Sequence, residues 1–196
     1  MNILNKLFKV FTDSIEEGVS KQEGTSNRRG YATYTCKKPN DLESIQNFME
    51  RYVAFDVETT GLNSKNDRMI EVGAVLFENG HIVETYSSLI NPGIKIPKEA
   101  TSVNHITNGM VKKAPTEDVV CAELVKFLGN ALHEETPICA HNGEFDMSFI
   151  SQALMRQGYD AQIVYLDTLS LSRKIIQGLP NYKQTTVAKH FNIRHI

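Results

Sequence analysis

The sequence predicts an α/β fold in which a mixed sheet carries helices on both faces, and three observations predict it. Residues 52–90 read as three strands in quick succession, two of them flanking Asn79-Gly80, a residue pair suited to a two-residue hairpin turn. From residue 116 onward, helical periodicity alternates with short apolar runs, as it does where parallel strands are joined by crossover helices. The first strand lies in Tyr52-Val-Ala-Phe-Asp-Val-Glu-Thr-Thr-Gly-Leu62, where two acids, Asp56 and Glu58, interrupt an otherwise apolar or β-branched run.

Taken in order, residues 1–15 place Ile3, Leu4, Leu7, Phe8, Phe11 and Ile15 at helical spacing, with Lys6 and Lys9 between them. That is an amphipathic pattern, expected to pack on its own domain; polar residues break the apolar run too often for a signal sequence. Residues 16–30 hold almost nothing apolar and read as a flexible linker, so the division is an N-terminal segment over 1–30 and a main domain over 31–196. Leu42, Ile45, Phe48 and Met49 predict a short helix over 41–51 feeding the first strand, at 52–57. Strands two and three are expected at 69–77 and 81–90, the latter ended by Asn91-Pro-Gly93. A helix over 116–132 is expected to bury Val119, Val120, Leu124, Phe127 and Leu128. A fourth strand at 137–141, a helix at 145–157, a fifth strand at 163–166 and a helix starting near Thr168 complete the series.

With 196 residues, 41% hydrophobic and 22% charged, the chain has the make-up of a globular protein with one main domain. Its net charge of −2 excludes a globally basic nucleic-acid binder, so any contact with a polyanion must be local. Cys36, Cys121 and Cys139 form no close pair, which predicts reduced thiols and a cytoplasmic setting. No apolar run approaches the ~18 residues needed to span a bilayer, so no membrane partner is expected.

The chemistry is concentrated at Asp56 and Glu58. Residues two apart on a strand share a face, so both carboxylates project together. Two like charges on a mostly buried strand are costly unless a cation neutralises them, and hard divalent ions prefer carboxylate oxygens. The competing reading is an edge strand with one solvated face.

Phe55-Asp-Val-Glu-Thr-Thr-Gly-Leu62 resembles the first motif of the DEDD-type 3′–5′ exonucleases, the family of the proofreading (epsilon) subunit and exonuclease domain of bacterial DNA polymerase III. His141-Asn-Gly-Glu-Phe-Asp146 is similar to the second motif. Between them, Arg68-Met-Ile-Glu-Val-Gly-Ala-Val75 resembles the family's second strand, and Val103-Asn-His-Ile-Thr107 its substrate-contacting loop. Leu166-Asp-Thr-Leu169 and Leu179-Pro-Asn-Tyr-Lys183 follow in the right order, so the resemblance spans residues 50–193. It implies a ribonuclease H-like fold and hydrolysis of phosphodiesters with two divalent ions, Mg²⁺ or Mn²⁺. It also implies that Asp56, Glu58 and Asp146 are the catalytic, metal-holding carboxylates. For Asp146 the alternative is charge stabilisation of a helix N-terminus.

By the same resemblance Thr59, Gly61 and Leu62 hold the 3′-terminal nucleotide, with Leu62 and Phe145 near its base. Core packing is the other reading for Leu62. Glu99 and Asn104 match substrate-contacting positions, although both residue types are common on any surface. His141 and Asn142 have polar tips that could orient the site, and His141 could equally be a satisfied strand-end histidine. Asp167 sits where a strand gives way to a helix and is assigned to N-capping. Glu71 is assigned a supporting role rather than ligation.

A third family motif, a histidine with an aspartate five residues later, has no counterpart here: His190 and His195 lack an acid at that distance, and no Asp or Glu follows Asp167. The expectation is a domain incomplete at its C-terminal end, hydrolysing slowly. The implied partner is a single-stranded or frayed DNA 3′ end, with a DNA polymerase subunit as a candidate protein partner. RNA trimming by the same fold and a non-catalytic nucleic-acid-binding or polymerase-accessory module are the alternatives.

Overall fold

The computed structural model describes residues 30–38 and 42–193. The amphipathic reading of residues 1–15, the linker up to residue 29, and His195 lie outside the described residues.

Six strands form one sheet: β1 (Ala32–Lys37), β2 (Arg51–Thr59), β3 (Met69–Glu78), β4 (His81–Leu89), β5 (Ile138–Ala140) and β6 (Ala161–Asp167). Their spatial order is β1-β6-β5-β2-β3-β4, with β2, β3 and β4 antiparallel and the β2–β5, β5–β6 and β6–β1 pairings parallel. Asn79 and Gly80 turn the β3–β4 hairpin with φ of 50° and 76°, the paired positive angles a two-residue turn demands and few residues tolerate.

Strand β1 was not anticipated. Its Thr33, Tyr34 and Thr35 have strand propensity, yet the run has little apolar content, because it adds to the outer edge of β6 and stays partly exposed.

Seven helices surround the sheet among the described residues: α1 (Leu42–Glu50), α2 (Lys98–Asn104), α3 (Asn108–Val111), α4 (Glu117–Leu128), α5 (Gly143–Arg156), α6 (Thr168–Ile175) and α7 (Gln184–His190). Alternation along β2 sorts them. Val53, Phe55 and Val57 face the main core with Val120, Cys121, Leu124 and Leu128 of α4 and Met147, Phe149 and Ile150 of α5. Tyr52 and Ala54 face a smaller core with Ile45, Phe48 and Met49 of α1 and Leu171 of α6. Helices thus cover both faces. Val119, expected inside, is 43% exposed: the buried stripe of α4 runs through Val120, Cys121, Leu124 and Leu128, one position along from it. The helix itself stops at Leu128 and continues as a single 3₁₀ turn, Gly129–Leu132.

Candidate active site

Strand β2 changes character along its length. On the face of the smaller core, Tyr52, Ala54, Asp56 and Glu58 stand opposite Phe77, Val75, Gly73 and Glu71 of β3. The strip begins with a stacked Tyr52–Phe77 ring pair, centroids 5.0 Å apart, and ends in carboxylates at the carboxyl end of the strand. Gly73, across from Asp56, has nothing within 4 Å of where a Cβ would stand, so the space beside Asp56 on this face is open.

The third carboxylate arrives because β5 is short. It pairs only with Val53 and Ala54 before the chain leaves for α5, so the β5-side edge of β2 is open beyond that point. The N–H of Val57, which a longer strand would have used, instead donates to Asp146 Oδ1 at 3.0 Å. The body of α5 packs on the main-core face, but its first turn stands at the strand edge, which lets Asp146 reach the acids of β2. This gap is also where the chain's connections part, β2 leading to β3 on one side and β5 to β6 on the other. Such switch points open a crevice at the carboxyl ends of parallel strands.

Asp146 is 3% exposed, and burial first, then the Asp56 charge, push its carboxyl well above the usual range, with Glu58 adding to the effect. Glu58 is pushed up to about 7 by burial, by Asp56 and by Glu71. Glu71 is raised by burial. Three carboxyl groups from separate elements are therefore held where each resists ionisation, a condition that a cation relieves. The donor set is all carboxylate oxygen, which suits Mg²⁺ or Mn²⁺, and the open volume at Gly73 gives an ion room. Among the described residues no three His, Cys, Asp or Glu side chains stand ready to hold one ion. Ligation would require the side chains to turn toward it.

The segment after β2 is built around Asp67. Its carboxylate accepts from Thr60 Oγ1 at 3.2 Å and from the Asn63 N–H at 2.9 Å. Gly61 is needed for this reason: a Cβ there would lie 2.5 Å from Asp67 Oδ2. Thr59 Oγ1 donates to the Gly61 carbonyl at 2.6 Å, and Arg156 reaches the Ser64 carbonyl while gripping Glu117 with two hydrogen bonds. A fixed loop results, and it leaves Leu62 88% exposed beside the acids, so core packing does not account for Leu62.

Asn104, at the end of α2, donates from Nδ2 to the Thr59 carbonyl at 3.2 Å and accepts the Ile106 N–H at 3.0 Å. It straps α2 to the end of β2. Val103, beside it, is 78% exposed and joins Leu62 as a bare apolar side chain near the site. Glu99 lies in the first turn of α2 and is exposed.

His141 has both ring nitrogens engaged, Nε2 at 2.8 Å from the Tyr182 carbonyl and Nδ1 at 3.1 Å from Thr168 Oγ1. A carbonyl only accepts, so the proton sits on Nε2; burial lowers the ring's pKa and favours this neutral form. His141 is thus the satisfied strand-end histidine, and it fastens the segment around Tyr182 to the end of β5. Asn142, exposed and at φ 68°, precedes α5. Phe145 is half-buried against Phe149, ring centroids 4.9 Å apart.

Asp167 caps α6 and also ties in α5. Its oxygens accept from the Leu169 and Ser170 N–H groups and the Ser170 hydroxyl, and from the Asn142 and Gly143 N–H groups. Burial works against ionisation, but those donors outweigh it and hold the carboxyl below its usual range. Asp167→Ala is expected to cost about 1–2 kcal/mol at pH 7, read as a lower melting temperature. Because the folded pKa is depressed, that stability exists above the unfolded pKa of ~3.9 and is lost as pH falls through the folded value. The two melting curves should converge in acid.

Sequence reasoning missed three features of the site. The register that sets Glu71 against Glu58 and the role of Asp67 appear only in the fold. Val103 lies in the segment that resembles a substrate-contacting loop, but its exposure on a helix that buries none of its side chains appears only in the fold.

Comparison with known proteins identifies the family of the chain. An exonuclease family profile, RNase T, matches residues 53–196. The chain is 39% identical over 148 residues to the PolC-type DNA polymerase III of Clostridium perfringens, covering 76% of this chain and 10% of that protein. It is 35% identical over 150 residues to the 3′-5′ exonuclease DinG of Bacillus subtilis, covering 74% of this chain and 15% of DinG. The chain therefore spans about a tenth of the length of the PolC-type relatives. Among solved structures, E. coli exonuclease I in complex with a dT13 oligonucleotide superposes with a TM-score of 0.65 at 18% identity, covering 75% of this chain and 37% of that one. That likeness places the fold, a ribonuclease H-like α/β sheet. The motifs, the profile and the relatives together show that the chain belongs to the DEDD-type 3′–5′ exonuclease family.

Proposed function

We propose that the domain removes nucleotides from the 3′ ends of single-stranded or frayed DNA by metal-dependent hydrolysis, in proofreading or end trimming beside a DNA polymerase in the cytoplasm. The observation that carries this reading is the approach of Asp146 to the strand that bears Asp56 and Glu58, at the β2–β5 gap, where burial disfavours the charges of Glu58 and Asp146. Two bound Mg²⁺ or Mn²⁺ ions would neutralise the attacking and departing oxygens of the phosphodiester. Asp56 and Glu58 would hold them from one strand and Asp146 from the strand edge. Thr59 to Leu62 follow directly, and the bare side chains of Leu62 and Val103 offer an apolar rest for a terminal base without reading its identity. DNA is favoured over RNA by the polymerase relatives. Among the described residues no helix is long and apolar enough to cross a membrane.

The test is digestion of a 3′-labelled single strand by this chain with Mn²⁺ or Mg²⁺, beside an Asp56→Ala control. Label release should be weak and stronger with Mn²⁺, since residues 1–196 contain three of the four DEDD carboxylates. Tight binding with no metal-dependent release would favour the accessory-module reading instead. Leu62→Ala should raise the KM for the strand about 5–10-fold, in keeping with burial of one leucine against a base, and leave the melting temperature unchanged. An equal loss of Mn²⁺ affinity would show that Leu62 acts through the metal-holding acids.

A further inference from the structure

The charge of this chain is unevenly divided. Residues 168–196 carry five of the 21 Lys and Arg residues and none of the 23 Asp and Glu residues, in a protein of net charge −2. Arg173, Lys174, Lys183, Lys189 and His190 are all exposed. An open groove of about 600 Å³ is lined by Lys189 and His190 together with Leu179, Pro180, Thr185 and Thr186, and Lys183 falls within the same stretch of chain.

Helix electrostatics explain part of this pattern. Arg173 and Lys174 fall in the last turn of α6, and Lys189 and His190 in the last turn of α7, where cations are favoured by the helix dipole. Lys183 is the exception. It occupies the N-cap of α7, the end that disfavours a cation, and its side chain makes no capping bond. Asn181 organises this turn, its Oδ1 accepting from the Lys183 N–H at 3.1 Å and from Thr186 Oγ1 at 2.7 Å. The Lys183 ammonium is thus placed at the helix end that disfavours a cation.

The groove is tied to the acid site. The Tyr182 carbonyl, between Leu179-Pro180 and Thr185, holds His141 Nε2 at 2.8 Å, and His141 leads from β5 into the helix that bears Asp146. We propose that this basic face is the track for the phosphodiester backbone of the strand whose 3′ end enters the site. Lys183 and Lys189 would contact phosphates, and Leu179 and Pro180 would underlie sugar or base. The inference rests on the nuclease reading and adds the path of the strand. Its physical motive is that a cluster of carboxylates repels a polyanion, so a strand longer than one or two nucleotides needs cations nearby to hold it.

The test uses the full chain and its Lys183→Gln/Lys189→Gln variant, with Lys183→Arg/Lys189→Arg as the charge-preserving control. Binding of a 5′-labelled thymidine dodecamer is followed by anisotropy in EDTA across a salt series. Hydrolysis of the p-nitrophenyl ester of thymidine 5′-phosphate with Mn²⁺ reads the acid site alone. The Gln variant should bind the dodecamer about tenfold more weakly at low salt, with a log–log salt slope shallower by about 1.4 for two lost phosphate contacts. The Arg variant should match the parent, and ester hydrolysis should be equal in all three. An unchanged slope in the Gln variant overturns the track, as does a parallel fall in ester hydrolysis. A shallower slope in a chain that hydrolyses neither substrate would leave the track standing and count against the nuclease reading.

Discussion

Replacing Asp146 by asparagine should abolish metal-dependent hydrolysis while leaving the metal-free fold as stable as the parent or more so. Asparagine keeps an oxygen to accept the Val57 N–H, the 3.0 Å bond that seals the open edge of β2. It also removes a carboxyl whose ionisation burial and Asp56 oppose. The loss at the metal should be several kcal/mol in the transition state, roughly 10³-fold in rate. Asp146→Ala should show the same loss of hydrolysis with an added stability cost of about 1–3 kcal/mol, because the Val57 N–H is then buried without a partner. Melting curves in EDTA and Mn²⁺ titration by calorimetry separate the two effects. If the asparagine variant binds Mn²⁺ like the parent, Asp146 is a structural acceptor and the helix-terminus reading of that acid is the correct one.

The second large effect is a reversal of pH dependence by metal. Glu58, pushed up to about 7, and Asp146 and Glu71, both raised, bind protons more tightly in the folded than in the unfolded chain. A raised folded pKa contributes stability that is complete below the unfolded value, ~4 for a carboxyl, and is lost as pH rises through the folded value. The metal-free chain should therefore melt at progressively lower temperature between about pH 5 and pH 8. Divalent ions bind the ionised carboxylates, so Mn²⁺ affinity should climb through the same window with release of protons. The gap between melting temperatures with Mn²⁺ and with EDTA should widen toward alkaline pH. Calorimetry in two buffers of different ionisation enthalpy measures the released protons. A gap that narrows with rising pH, or binding without proton release, would contradict the assignment of these acids to the metal.

Local rules gave the parts of the site that lie within a few residues of one another. Asp56 and Glu58 share a face because side chains on a strand alternate, and no tertiary contact alters that. Asn79-Gly80 formed its hairpin because backbone angles there are a property of the two residues. Asp167 became a cap because a short acidic side chain before a helix meets N–H groups that have no other partner. The motifs that resemble the DEDD family reach Asp146 by pattern, with no account of how it arrives.

What remained depends on where strands end and how they are paired, which residues far apart in sequence determine together. Glu71 faces Glu58 only through the register of β2 on β3. Asp146 reaches Val57 only because β5 stops at Ala140, and Gly61 is explained only by the return of Asp67. The strand at Ala32–Lys37 is held by its pairing with β6 rather than by its own weak apolar pattern. The sequence by itself determined which acids are present and that two of them share a face; the tertiary structure decided the third acid's approach, the open space beside them and the basic groove fastened to the same end of the sheet.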